Sequence, residues 1–259
     1  MSKTCVIVAT DRDFFGYTEI MLRSLDANYH GDGKLDVFVM VPEKQRDWYF
    51  TTPYKNLNVE LRVPEKLSDP KVVEVMETTY KFLRLSSASM FRYFAADTVP
   101  EYARALYLDS DILITRDIDP LLNYDLCGKP LAALPEIQLD HSDNPTFKDH
   151  PYFNSGIMVI DLKWWRNNRI GNKLVELSRT LEDWTGAGDQ DVLNAFFRSN
   201  YTPLPLSFNF LINIFKNLPF KSPLVVHWAG KSKPWLSNSP DTEWKRLWKN
   251  YRMQGPTTM

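Results

Sequence analysis

The sequence predicts an α/β protein built on a mostly parallel sheet with crossover helices. Three observations predict it. Short apolar, β-branched runs alternate with longer amphipathic stretches, the order that gives strand–helix–strand units. The chain has 259 residues, 44% of them hydrophobic, enough for one large core or two small ones. And in Arg104-Ala-Leu-Tyr-Leu-Asp-Ser-Asp-Ile-Leu-Ile114 an apolar run leads into paired carboxylates, with apolar residues following at once, at the strand end where open α/β sheets hold their ligands.

Taken in order, Cys5-Val-Ile-Val-Ala9 is a buried strand, and Thr10-Asp-Arg-Asp13 breaks its pattern. A helix follows over residues 14–29, with Ile20, Met21, Leu22 and Leu25 on its apolar face. Gly31-Asp-Gly33 is a turn. Residues 35–41 form a second strand, and the alternation over 58–63 predicts a third. The polar stretch 64–81 has no clear period. Residues 86–94 suit a helix, and the strand to Leu108 comes after Pro100. Residues 131–134 are a short strand. Residues 138–151 hold three Asp, two His and two Pro, and predict a long loop. A polar turn at Tyr152-Phe-Asn-Ser-Gly156 then feeds an apolar strand to Asp161. A helix over 162–180 breaks near Asn167-Asn168. Thr185-Gly-Ala-Gly-Asp189 is a glycine-rich turn, with Asp189 placed to cap a helix over 190–197. Short β segments near 201–206 and 224–226 close the core.

Composition excludes several classes. A net charge of −1 argues against a nucleic-acid binder that relies on general phosphate attraction. Two cysteines, Cys5 and Cys127, make no disulfide framework. No apolar run reaches the roughly 18 residues of a membrane span. The first residues lack the apolar core and cleavage site of a signal peptide, so the expected location is cytoplasmic. Without a secretory signal, the sequon Asn200-Tyr-Thr202 is a chance match.

The last segment divides off as a basic, aromatic tail, giving an expected division into 1–240 and 241–259. After Glu243 it holds Lys245, Arg246, Lys249 and Arg252 and no acid. Trp244, Leu247, Trp248 and Tyr251 fall on one helical face. Such a helix either docks on the domain, the simpler reading, or lies peripherally at an anionic membrane face.

Two carboxylates in alternate positions of an extended segment point the same way, and hard oxygens hold divalent cations together with substrate phosphates. Asp109 and Asp111 are therefore candidate metal ligands. The Asp-x-Asp pattern is weak alone, since it occurs four times here. Asp117/Asp119, for example, reads as a helix cap before Pro120.

Five blocks in order give the pair its meaning. They are Ala9-Thr-Asp11, Tyr107-Leu-Asp-Ser-Asp-Ile112, Phe153-Asn-Ser-Gly156, Gly188-Asp-Gln-Asp-Val-Leu-Asn194 and His227-Trp-Ala-Gly-Lys-Ser-Lys-Pro-Trp235. With them the chain resembles the retaining glycosyltransferases of family 8, the group that includes glycogenin and the bacterial lipopolysaccharide galactosyl- and glucosyltransferases. The resemblance runs from Cys5 to about Trp235. It implies a GT-A fold: one Rossmann-like domain with nucleotide-binding and acceptor halves. It also implies a UDP-galactose or UDP-glucose donor and a Mn²⁺ cofactor, with Mg²⁺ as the substitute. It implies an acceptor hydroxyl and leaves open whether a saccharide, a glycolipid or a protein carries it.

Residue roles follow from the same resemblance. Asp109, Asp111 and His227 would hold the metal, with Asp109 and Ser110 also on the donor. Ala9, Thr10, Asp11 and Phe14 would meet the uridine, although Phe14 equally suits helix packing. Gly230 and Lys233 would contact the diphosphate, and Arg92 would face the donor. Asn154, Asp189 and Gln190 would hold the transferred sugar. An amide is a poor nucleophile, so the resemblance favours attack by the acceptor on the face that UDP leaves, over a covalent intermediate on Gln190. Two other readings stand beside it: a self-glucosylating primer, and a UDP-sugar-binding protein without turnover.

Overall fold

The computed structural model describes residues 4–83, 86–136, 143–215 and 222–254. Ten strands are described: β1 (Thr4–Ala9), β2 (Leu35–Met40), β3 (Leu57–Arg62), β4 (Arg104–Leu108), β5 (Ile112–Ile114), β6 (Leu131–Pro135), β7 (Phe153–Asp161), β8 (Thr202–Pro203), β9 (Phe210–Leu211) and β10 (Val225–His227). Seven form a central sheet in the order β3-β2-β1-β4-β7-β6-β8, and β5-β10-β9 form a second, smaller one. The central sheet is mostly parallel, as the element order predicts, but β7 runs antiparallel to both β4 and β6.

Register positions the site. In the β1–β4 pair Val8 lies opposite Leu108, so Ala9 and Asp109 leave their strands at the same level. Because β7 is antiparallel, its first residues lie beside the end of β4. Ile157 pairs with Leu108, and the Asp109 N–H donates to the Gly156 carbonyl at 2.8 Å. Asn154, Ser155 and Gly156 are therefore buried inside a strand rather than in the turn that their polarity suggests. In the small sheet His227 pairs with Ile112 on one side and Leu211 on the other. The Trp228 N–H donates to the Asp111 carbonyl at 3.1 Å, which sets His227 next to Asp111.

The helices follow the expected order with local differences. The first runs Phe15–Asn28. The polar stretch after β3 winds into a short helix, Pro70–Val75, capped by the Asp69 carboxylate, with proline at its first position. Ser87–Phe94 is a 3₁₀ helix, not an α-helix. The helices Leu162–Asn167 and Ile170–Thr180 break at Arg169, whose φ of 51° is left-handed. Asp189 opens the helix Asp189–Phe197 but does not cap it; Gly188 holds the cap position. Asp119 likewise caps nothing, and Ile118 precedes its helix. The expected β segments near 201–206 and 224–226 reduce to Thr202–Pro203 and Val225–His227. Of the long loop, 143–151 are turns, and 138–142 lie outside the described residues.

The tail docks. Its helix, Glu243–Met253, is capped by Thr242 and buries Trp248. Arg23 of the first helix donates to the carbonyls of Tyr251 and Arg252, at 3.1 and 3.3 Å, and so closes the helix end. Lys245 is buried, its ammonium held by the carbonyls of Leu236 and Ser239. Arg246, Lys249 and Arg252 stay exposed. No helix among the described residues is long and apolar enough to cross a membrane.

Candidate active site

A cavity of about 810 Å³ opens at the carboxyl ends of β1 and β4. Every site residue singled out in the sequence lines it: Ala9, Thr10, Asp11, Phe14, Arg92, Asp109, Ser110, Asp111, Asn154, Asp189, Gln190, His227, Gly230 and Lys233.

Its floor is a cluster of three ligand groups. One atom each of Asp109, Asp111 and His227 lies within 4.8 Å of the others. The orientation of these groups follows from one backbone proton. Gly156 N–H donates to Asn154 Oδ1 at 3.1 Å, which fixes the Asn154 amide. Asn209 Nδ2 must then be the donor to that same oxygen, at 2.9 Å. Asn209 Oδ1 is left to accept from His227 Nδ1, also at 2.9 Å. In the neutral imidazole the lone pair therefore sits on Nε2, facing the cluster. There Nε2 meets Asp111 Oδ1 at 3.3 Å, and that oxygen is buried with no hydrogen-bond donor. Two acceptors thus face each other in a buried site, an arrangement that a cation between them would satisfy.

Gly156 completes the cradle. A Cβ there would lie 2.3 Å from His227 Cε1 and 2.7 Å from Asp109 Oδ2. Only a residue without a side chain leaves His227 and Asp109 their space.

Around the cluster the charges interlock. Lys233 Nζ pairs with Asp111 Oδ2 and donates to the Trp228 carbonyl. Burial alone would push the Asp111 carboxyl up. The Lys233 ammonium beside it overcomes that and holds it well below the usual carboxylate range. Arg92 is buried, and all three of its guanidinium nitrogens donate to the protein. Nε donates to the Ser89 carbonyl, Nη1 to the Ser155 carbonyl and hydroxyl, and Nη2 to Asp109 Oδ1 at 2.8 Å. Tyr107 also donates to Asp109 Oδ1, at 3.1 Å. Both donors use Oδ1, so Asp109 Oδ2 stays free for the cluster. Arg92 Nε is also 2.9 Å from Asp189 Oδ2, a contact of charges without a shared proton, since its N–H goes to Ser89. Burial pushes the Asp189 carboxyl up to about 6, against the pull of Arg92 and with the help of Asp109.

Other predicted residues are placed differently from simple ligand contacts. Both Asp11 carboxylate oxygens serve the protein: Oδ1 accepts from the N–H of Asp13 and Phe14, and Oδ2 binds the Ser86 hydroxyl. The hydroxyls of Thr10 and Ser110 turn inward to Thr18, at 2.9 and 2.8 Å. Phe14 packs edge-on against Trp235, with ring centroids 5.8 Å apart, while still lining the cavity. Gln190 Oε1 accepts from Ser155 N–H at 2.9 Å and from Asn154 Nδ2 at 3.2 Å.

Sequence reasoning missed Glu136 and Asn209. Glu136 follows β6 directly and is buried in the cavity wall, accepting from Asn154 Nδ2 at 2.8 Å. Burial raises its pKa, opposed by the Asn154 hydrogen bond. An acid at the carboxyl end of an apolar run, the same signal that marked Asp109, could have found it. Asn209 stands in the mostly apolar stretch Leu206-Ser-Phe-Asn-Phe-Leu-Ile212, with Ser207 the other polar residue, a weaker hint that a buried amide has partners.

A mixed α/β sheet in this strand order, with a cavity at its strand ends, is the GT-A fold. The chain belongs to glycosyl transferase family 8, whose profile matches residues 5–239. It is 27% identical over 255 residues to the glycosyltransferase GlyF of Streptococcus pneumoniae, covering 95% of this chain and 61% of that one. It is 29% identical over 167 residues to the lipopolysaccharide 1,2-glucosyltransferase of Escherichia coli, covering 58% and 49% of the two chains. The fold matches the galactosyltransferase LgtC solved with donor and acceptor sugar analogues, with a TM-score of 0.72 and 20% identity over 99% of this chain and 97% of that one. Against GlyF and the lipopolysaccharide enzyme, then, the chain spans about half to three-fifths of the relative's length.

Proposed function

We propose that the protein is a metal-dependent retaining glycosyltransferase that moves a hexose, galactose or glucose, from a UDP-sugar to an acceptor hydroxyl on a saccharide, glycolipid or protein. The observation that carries this reading is the unpaired Asp111 Oδ1 facing His227 Nε2, in a cluster that Gly156 leaves open. Asp109, Asp111 and His227 would hold the metal; a mixed oxygen and nitrogen set suits Mn²⁺, with Mg²⁺ second. When bound, it would supply Lewis-acid stabilisation of the charge that develops on the UDP leaving group.

The chain's own residues do the rest. Lys233 brings a second positive charge to the same side of the cavity. Phe14 and the end of β1 form the wall for the uridine, with the Asp11 carboxylate organising the backbone there instead of reaching out. Asn154, Asp189 and Gln190 orient the sugar. Gln190 Oε1 already accepts from the backbone and from Asn154, which lowers its nucleophilicity further. Attack by the acceptor hydroxyl on the face that UDP leaves is therefore favoured over a covalent step on Gln190. The catalytic unit is 1–240. The tail braces it; of its exposed bases Arg246 pairs with Asp241, which leaves Lys249 and Arg252 to meet an anionic surface.

The test is UDP release from UDP-galactose and UDP-glucose with and without Mn²⁺, in wild type and Asp109→Ala. Mn²⁺-dependent release from one donor, lost in the variant and with retained anomeric configuration by NMR, supports the reading. Absence of both release and Mn²⁺-dependent UDP binding removes it.

A further inference from the structure

The turn after β10 carries Gly230 and Lys233, yet the groups that shape it lie on another element. Asn213, in the short helix Ile212–Phe215, donates from Nδ2 to the Ala229 carbonyl at 2.7 Å and to the Ser232 carbonyl at 3.0 Å. One amide thus staples both ends of the turn. Gly230 at its apex has φ 82°, the left-handed conformation that lets the chain reverse there. No described residue accepts from the N–H of Gly230, Lys231 or Ser232. With the carbonyls drawn onto Asn213, the turn keeps unpaired N–H groups on a segment that lines the cavity, the chemistry of an anion cradle.

Asn213 lies four residues after Asn209, and β9 runs between them, with Leu211 paired to His227. Asn209 fixes the imidazole and Asn213 fixes the turn. The short segment 209–213 therefore sets where the metal ligand and the anion-binding turn stand relative to each other.

We propose that Asn213 is a positioning residue for the donor's diphosphate, acting through the 229–233 turn and touching no group of the metal cluster itself. This rests on the glycosyltransferase reading above and deepens it. The bland alternative is that Asn213 merely satisfies two carbonyls and supports the fold. The two differ in what they couple. A positioning role separates diphosphate binding from metal binding, whereas a structural role lowers both together.

The experiment measures Mn²⁺ affinity, UDP affinity in saturating Mn²⁺, and kcat and KM for the UDP-sugar. The variants are Asn213→Ala and Asn213→Asp, the second keeping the side-chain volume while replacing the donor by an acceptor. Mn²⁺ affinity is expected to stay within about 2-fold of wild type, while UDP affinity falls about 10-fold in the alanine variant and further in the aspartate one. KM is expected to rise more than kcat falls. Asn209→Ala is expected to show the reverse pattern, with Mn²⁺ affinity lost first. Unchanged UDP affinity in both Asn213 variants overturns the proposal, and so does a parallel loss of Mn²⁺ and UDP binding or a loss of folded protein. Failure of the wild type to bind UDP in Mn²⁺ removes instead the reading on which the proposal rests.

Discussion

Gly156→Ala tests the metal cradle with a single methyl group. The added Cβ would lie 2.3 Å from His227 Cε1, where ordinary contact begins at 3.4 Å. The ring must retreat by about an ångström, or β7 must move. The imidazole cannot retreat freely, because Asn209 holds its Nδ1 at 2.9 Å. The same methyl presses Asp109 Oδ2 at 2.7 Å. Metal sites tolerate ligand displacements of only about 0.2 Å. Displacing two of three ligands by several times that is expected to weaken Mn²⁺ binding about 100-fold, or roughly 3 kcal/mol. Overpacking should also cost about 1–3 kcal/mol of stability. The assay is titration with Mn²⁺, followed by the magnetic resonance signal of the free ion, alongside denaturant unfolding. Gly171→Ala is the control. Its Cβ would meet the Tyr93 carbonyl at 2.8 Å, so it should lose stability and keep Mn²⁺ affinity. A folded Gly156→Ala protein that binds Mn²⁺ within about 3-fold of wild type would refute the assignment of these atoms as the ligand set.

Three further outcomes are expected. The Asp189 carboxyl rises from its ordinary 3.8 to about 6 on folding, so the folded state favours its protonated form. The metal-free protein should therefore lose about 3 kcal/mol of stability as pH rises from about 4 to about 6. Asp189→Asn should flatten that slope in denaturant titrations, and equal slopes would count against the raised carboxyl. Lys233→Met should slow UDP release about 100-fold without weakening Mn²⁺ binding, since it removes the charge that competes for Asp111; weaker Mn²⁺ binding would contradict this. Trp248→Ala should cost about 3–5 kcal/mol, because the indole is buried between the tail helix and the core; a change below about 1 kcal/mol would show that the tail contributes little.

What the sequence made legible was the chemistry at strand ends. Asp109 follows an apolar run, and such a run has few other ways to fold in an α/β chain. The start of β7 was less legible. Polar residues with a glycine suggest a turn, but Asn154, Ser155 and Gly156 are buried within the strand because Glu136, Gln190, Asn209 and the Asp109 N–H satisfy them. Those partners are distant in sequence, so no local pattern reports them. The antiparallel direction of β7 is hidden for the same reason, since side-chain alternation is identical in both directions. Asp189 resembled a helix cap from its position alone, while a charge elsewhere, Arg92, decides its orientation. The strands that carry Asn209 and His227 to the site are two and three residues long, too short for a period to emerge.

The clasp of Arg23 on the carbonyls of Tyr251 and Arg252 ties the last helix to the first. Elements joined in this way tend to open as one cooperative unit. Hydrogen exchange in Glu243–Met253 should then follow the breathing of Phe15–Asn28, the helix that carries Tyr17 beside Trp235. Amides of the tail helix would so serve as reporters of occupancy: a ligand resting on Phe14, whose ring meets Trp235, should slow exchange in a helix it never touches.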